Sequence, residues 1–164
     1  MPRGKIELRH QVESLSILAP DGSVDEALAP RIDPQDLRRL YKVMLLARRC
    51  DERMIRLQRQ GRIGTIGPAI GQEAASLGPA FVLGKNDWMI PSFRELAGML
   101  CRGWPIEKLI LWWGGNEFGC QVPEELNDLP TCVPIATQCL HAAGVAWGCK
   151  LNGDGGVALG FVGD

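Results

Sequence analysis

The junction at Asp33-Pro34 constrains this chain more than any other feature. Asp33 is a strong N-cap, Pro34 suits a first helical position where no carbonyl needs its missing N–H, and Asp36 adds negative charge to the first turn. Leu37, Leu40, Tyr41, Met44, Leu45, Met54 and Ile55 then recur at helical spacing until Gly61. The spacing predicts one long amphipathic helix, whose apolar stripe needs a core to cover it. A chain of 164 residues with 46% hydrophobic content can supply one. Half of the 18 Lys and Arg residues fall between Arg38 and Arg62. They read either as a solvated face with salt bridges to a partner subunit or as a face that binds phosphate or acid.

Beyond Gly61 the chain alternates loops with shorter helices. Residues 61–71 form a Gly-rich loop whose spacing does not match a Walker phosphate loop. Helices are predicted over Gln72 to Leu83, over Ser92 to Cys101 with Ser92 and Glu95 as a capping box, and over Pro105 to Trp113, closed by Gly114-Gly115. Residues 114–130 read as an acidic loop containing Glu117, Glu124, Glu125 and Asp128. A further helix is expected from Pro134 to Lys150 and a short apolar strand from Gly156 to Val162. Ahead of all this, Ile17 to Val24 reads as a strand, a turn and a return within an extended arm of residues 1–31.

Several classes are excluded. With 18 basic against 19 acidic residues the chain is not a nucleic-acid binder defined by bulk charge, and it carries no recognition motif. The N-terminal residues lack the apolar core of a secretory signal. The uncharged run from Leu129 to Cys149 is interrupted by Pro134, Thr137, Gln138 and His141, so it reads as buried protein interior rather than a membrane span. Six scattered cysteines without a C-x-x-C pair match neither a disulfide scaffold nor a zinc site, and suggest reduced thiols in the cytoplasm. His141 reads as a helix-packing residue, and Ala136, Ala142, Ala143, Gly144, Ala146 and Gly148 would allow a backbone or flat ligand to approach closely.

Two Gly-Asp pairs separate by context. Gly153-Asp154-Gly155-Gly156 joins a helix to a strand and reads as a turn. Gly163-Asp164 follows an apolar strand, and ligands of open α/β sheets bind outside the carboxyl ends of strands. A carboxylate there can hold a divalent cation against a diphosphate.

Gly71-Gln72-Glu73-Ala74, Ser92-Phe93-Arg94-Glu95, Pro134-Ile135-Ala136-Thr137-Gln138 with His141-Ala142-Ala143-Gly144, and Gly163-Asp164 occur in that order. Together they resemble the alpha subunits of the thiamine-diphosphate-dependent 2-oxo acid dehydrogenases, over residues 32–164 and more weakly around Leu18–Val24. The resemblance implies an α/β thiamine-diphosphate-binding fold, a parallel sheet flanked by helices, incomplete and mostly helical in the part present. It places Arg94 at the cofactor's diphosphate, a task that suits a planar fork of donors. Phe93 stands where the family usually has Tyr, keeping the aromatic wall without the hydroxyl. Val133 and Ile135 match positions around the thiazolium and aminopyrimidine. Gly163 and Asp164 match the Gly-Asp-Gly cofactor motif, with Asp164 a Mg²⁺ ligand. Thr137 and Gln138 match a segment that holds structural potassium in branched-chain relatives.

The implied reaction is oxidative decarboxylation of a 2-oxo acid, with the thiazolium as electron sink and the acyl group passed to a lipoyl group on a transferase component. Leu57-Gln58-Arg59-Gln60-Gly61-Arg62 looks more like the pyruvate-type alpha subunits, so pyruvate is the expected substrate over branched-chain 2-oxo acids or acetoin. The family's activating glutamate belongs to a beta subunit, in an alpha2beta2 heterotetramer. No catalytic residue is therefore expected in this chain. The sequence ends on the Asp of the cofactor motif. A product that is inactive and only docks onto partner subunits is the alternative of another class, and the isolated chain is expected to be marginal or aggregation-prone because a cut sheet leaves open edges.

Overall fold

A computed structural model describes residues 13–163 of the chain, and Asp164 lies outside them. The chain divides into two units, one ending at Pro34 and one starting at Gln35. In the first, Leu18 and Val24 form an antiparallel bridge around a turn in which Gly22 has φ +87°. Asp21 closes that turn by accepting the Ser23 N–H at 2.9 Å and its hydroxyl at 2.7 Å.

Helix α1 runs Pro34–Arg59, with Gly61 following at φ +68°. Its buried line is narrower than the sequence stripe: Leu40, Ala47, Cys50, Asp51 and Met54. Leu37, Tyr41 and Leu45 flank that line and stay exposed. The Gly-rich loop, with Ile66 and Ala69 buried, joins α1 to α2 at Glu73–Phe81.

Strand β1, Trp88–Ile90, leads to α3, Leu96–Arg102, and α4, Ile106–Trp113. A 3₁₀ turn at Glu117–Cys120 follows, then α5, Thr137–Asn152, and β2, Ala158–Gly160. The two strands pair in parallel, with Met89 opposite Leu159. On its other side Met89 bridges Asp128, donating to the Asn127 carbonyl at 3.1 Å and accepting from the Leu129 N–H at 2.9 Å. Met89 and Ile90 are consequently among the most buried residues described. Helices α2 and α3 pack closely because Gly98 lets the Ser76 carbonyl approach to where a Cβ would sit 2.8 Å away.

Several sequence expectations are corrected. Helix α3 begins at Leu96, four residues after Ser92, because only half of the capping box forms: the Glu95 carboxylate takes the N–H of Arg94 at 3.1 Å and that of Ser92, while no side chain caps the helix. Helix α5 begins three residues after Pro134, once Ala136 has turned the chain at φ +66°. The expected burial of 129–149 does not hold for α5. Gln138 and Cys149 are buried, while Leu140 and Trp147 are 76% and 65% exposed and His141 faces solvent rather than packing. The acidic loop hides Asp128 in the interior. The expected single strand has a parallel partner in β1. No described helix is long and apolar enough to cross a membrane.

Candidate functional site

The cavity of interest opens at the carboxyl ends of the paired strands. Ser92, Phe93, Arg94 and Glu95 follow β1, and Val162 and Gly163 follow β2. Parallel pairing brings these two strand exits together, and Phe161 extends the ladder by donating its N–H to Ile90 at 3.0 Å. Gln72, just before α2, and Ile135, just before α5, complete the lining of a volume of about 540 Å³. The space is within the range of small-molecule sites. No Cβ added at Gly163 would meet an atom of the described residues within 4 Å, so a ligand can approach the backbone there.

Arg94 is the cationic group in this lining. Its guanidinium carbon lies 5.1 Å from the centre of the Phe93 ring, a cation–π distance. One terminal nitrogen donates to the Pro68 carbonyl of the Gly-rich loop. Its Nε and Nη2 have no protein partner among the described residues, so the fork keeps donors for an anion.

The loop that Arg94 touches is pinned from three sides. Gln58 Oε1 accepts the Ile66 N–H at 2.9 Å, Asp51 Oδ2 accepts the Ala69 N–H at 2.8 Å, and Glu73 Oε2 accepts the Gly71 N–H at 3.0 Å. Glu73 is itself paired with Arg48 at 2.5 Å. That bond is the main reason its carboxyl is held below the ordinary value. Asp51 is the reverse case: burial raises its carboxyl despite the N–H groups of Ala69 and Ile70. Burial likewise raises Glu95. At Gly67 a Cβ would stand 2.6 Å from the Phe93 ring, so loop and ring are pressed together.

The structure therefore gathers Phe93, Arg94, Ile135 and Gly163 in one lining. Val133 is half exposed and outside that lining, and Asp164 lies outside the described residues. Thr137 and Gln138 open α5 and also lie outside the lining. Gln138 is fully buried; its Nε2 donates to the Cys132 carbonyl, while its Oε1 has no partner among the described residues. Among the described residues no cluster of three His, Cys, Asp or Glu side chains could hold a metal. Gln72 and Glu95 as lining residues, and Asp51 as the anchor of the loop, were not expected from the sequence. For Asp51 there was a signal: a carboxylate inside the apolar stripe of α1.

Comparison with known proteins gives a consistent result. The family model described as dehydrogenase E1 component matches residues 41–164. Over 94% of its length the chain is 37% identical to the pyruvate dehydrogenase E1 component subunit alpha of Bacillus cereus. Identity to the proteins of the same name is 39% over 84% of the chain in Acholeplasma laidlawii and 35% over 96% in Staphylococcus epidermidis. The chain spans 42–43% of the length of these curated relatives.

Proposed function

The chain belongs to the dehydrogenase E1 component family, and from that premise we propose that it forms part of a pyruvate-decarboxylating dehydrogenase. One observation carries the reading. Four residues assigned to cofactor binding, from three separate segments, line one cavity at the strand ends. The complete thiamine-diphosphate-binding fold, a parallel sheet flanked by helices over 32–164 with residues 1–31 as an arm, is part of the same proposal.

The lining fits a diphosphate. A cationic fork, two of whose nitrogens have no partner among the described residues, shares the lining with an open glycine backbone, and an aromatic and an aliphatic side chain supply apolar walls. Bound thiamine diphosphate would supply the electron sink for decarboxylation of the 2-oxo acid. Arg94 would hold the diphosphate, with its guanidinium oriented by the Pro68 carbonyl and the Phe93 face. Phe93, lacking a hydroxyl, would add shape rather than a donor. Ile135 would pack on the apolar part, with Val133 beside it. Gly163 would let the backbone approach, and Asp164 would bind Mg²⁺. The orphan Gln138 Oε1, with Thr137, supports a role as ligand to potassium, an ion that bonds to neutral oxygens.

The exposed apolar residues of α5, Leu140, Trp147 and Leu151, support assembly with a beta subunit in an alpha2beta2 heterotetramer. That partner would bring the activating glutamate, and a lipoyl transferase component would accept the acyl group, in the cytoplasm. The test is co-expression with a beta subunit and a lipoyl transferase, assayed on a panel of 2-oxo acids. Pyruvate-dependent acetylation of the lipoyl group is expected. A marked preference for branched-chain acids would overturn the substrate, and assembly without turnover would favour a docking role alone.

A further inference from the structure

The geometry points to Asp51 as a positioning residue that sets the direction of the Arg94 guanidinium through the backbone of residues 68–70. This rests on the reading of Arg94 as the diphosphate anchor. Asp51 lies in the buried line of α1 and is 2% exposed. Its carboxylate receives the N–H groups of Ala69, at 2.8 Å, and Ile70. Both donors belong to peptide units directly after Pro68, and the Pro68 carbonyl is the acceptor that Arg94 uses. The carbonyl carbon of Pro68 and the nitrogen of Ala69 share one rigid peptide plane. Fixing the Ala69 N–H therefore fixes the direction in which the Pro68 oxygen points.

The other pins act further along. Gln58 holds the Ile66 N–H and Glu73 holds the Gly71 N–H, each outside the peptide that faces Arg94. Gly67 lies against the Phe93 ring, so a shift of this peptide would also move the ring over which Arg94 stacks. Asp51 and Arg94 thus act on one peptide plane, with no direct hydrogen bond between them among the described residues. A carboxylate suits the task because it accepts two N–H groups without presenting a donor of its own. An Asn side chain keeps one acceptor but turns an NH₂ group toward the second N–H.

The experiment uses the full chain, alone and co-expressed with a beta subunit. In the chain alone, the Arg94 Nε–H resonance, assigned by its loss in Arg94→Lys, reports guanidinium order without any cofactor. Asp51→Asn is expected to shift and broaden it, whereas Gln58→Ala, which loosens the same loop elsewhere, leaves it nearly unmoved. In the complex, Asp51→Asn is expected to weaken thiamine diphosphate about tenfold, the size of one lost hydrogen bond to a charged group. Thiamine, which lacks the diphosphate, should bind the variant and the parent equally. The double variant Asp51→Asn/Arg94→Ala should be no weaker than Arg94→Ala alone. An unmoved Arg94 resonance in Asp51→Asn, or additive losses in the double variant, would overturn the role of Asp51. If Arg94→Ala itself leaves thiamine diphosphate binding unchanged, the cofactor reading fails instead.

Discussion

Arg102 and Asp128, 26 residues apart, form a buried ion pair with Nη2 to Oδ1 at 2.8 Å and Nε to Oδ1 at 3.0 Å. Their side chains are 8% and 1% exposed. Trp104 Nε1 donates to the other oxygen of Asp128 at 2.8 Å, and Arg102 also donates to the carbonyls of Gly84 and Asp87. This network ties the end of α3 to the segment beside β1. Asp128→Ala leaves a guanidinium and an indole N–H buried without their acceptor, and should destabilise the full chain by about 3–5 kcal/mol. Asp128→Asn keeps one acceptor and should cost less. Denaturant unfolding followed by circular dichroism gives both values. Equal stability of parent and Asp128→Ala would show that the pair is not a structural tie.

Glu73 and Glu95 should make opposite contributions to acid stability. The Arg48 bond holds Glu73 below its ordinary 4.5, so its contribution is present above that pH and lost as the pH falls through the folded value. Burial holds Glu95 above 4.5, so its contribution is present below 4.5 and lost as the pH rises through the folded value. Arg48→Met should therefore remove part of the loss of stability on the acid side. Glu95→Gln should flatten the decline on the side above 4.5. Unfolding free energies measured across a pH series that brackets 4.5 check both, and two variants with the parent's pH profile would refute the assignment.

Gly98→Ala should separate α2 from α3. The added Cβ would stand 2.8 Å from the Ser76 carbonyl and 3.1 Å from Met89 Cε. A backbone oxygen cannot swing aside, so a loss of about 1–3 kcal/mol is expected, as for other overpacked contacts. Gly78, on α2 with open space around it, is the control: Gly78→Ala should be neutral or stabilising. The Gly98→Ala melt should fall below the parent and the Gly78→Ala melt at or above it; a Gly98→Ala melt at the parent value would refute the close contact.

Gly67→Ala tests the site rather than the fold. The new methyl would meet Phe93 Cδ2 at 2.6 Å and push the ring that backs Arg94. Aromatic proton shifts of Phe93 should move, while the melting midpoint changes by less than in Gly98→Ala. An unchanged Phe93 spectrum would mean that loop and ring are not in contact.

How much of this was legible depends on how local the cause is. The start and end of α1 could be read because Asp33, Pro34 and Gly61 act within one turn of themselves. The turn at Gly153 and Gly155 was legible for the same reason, and both glycines have positive φ. Ser92 and Glu95 looked like a reciprocal box, but only the glutamate reaches back, and the helix waits until Leu96. Trp88–Ile90 is too short to show a strand period, so β1 emerged only through its pairing with β2. Asp128 looked like one more acidic loop residue because its partners, Arg102 and Trp104, are distant in sequence. The resemblance named Phe93, Arg94, Ile135 and Gly163, which share one lining, whereas Glu95 joins that lining, and Asp51 the loop beside it, only through the fold.

The cavity at the ends of β1 and β2 is proposed to bind a diphosphate through Arg94. Titration calorimetry of thiamine diphosphate with Mg²⁺ into the chain co-expressed with a beta subunit, compared with its Arg94→Ala form, tests it most directly. Saturable binding that weakens at least about tenfold in Arg94→Ala is expected, in line with a charge-assisted hydrogen bond. Equal affinity in the two proteins would contradict it.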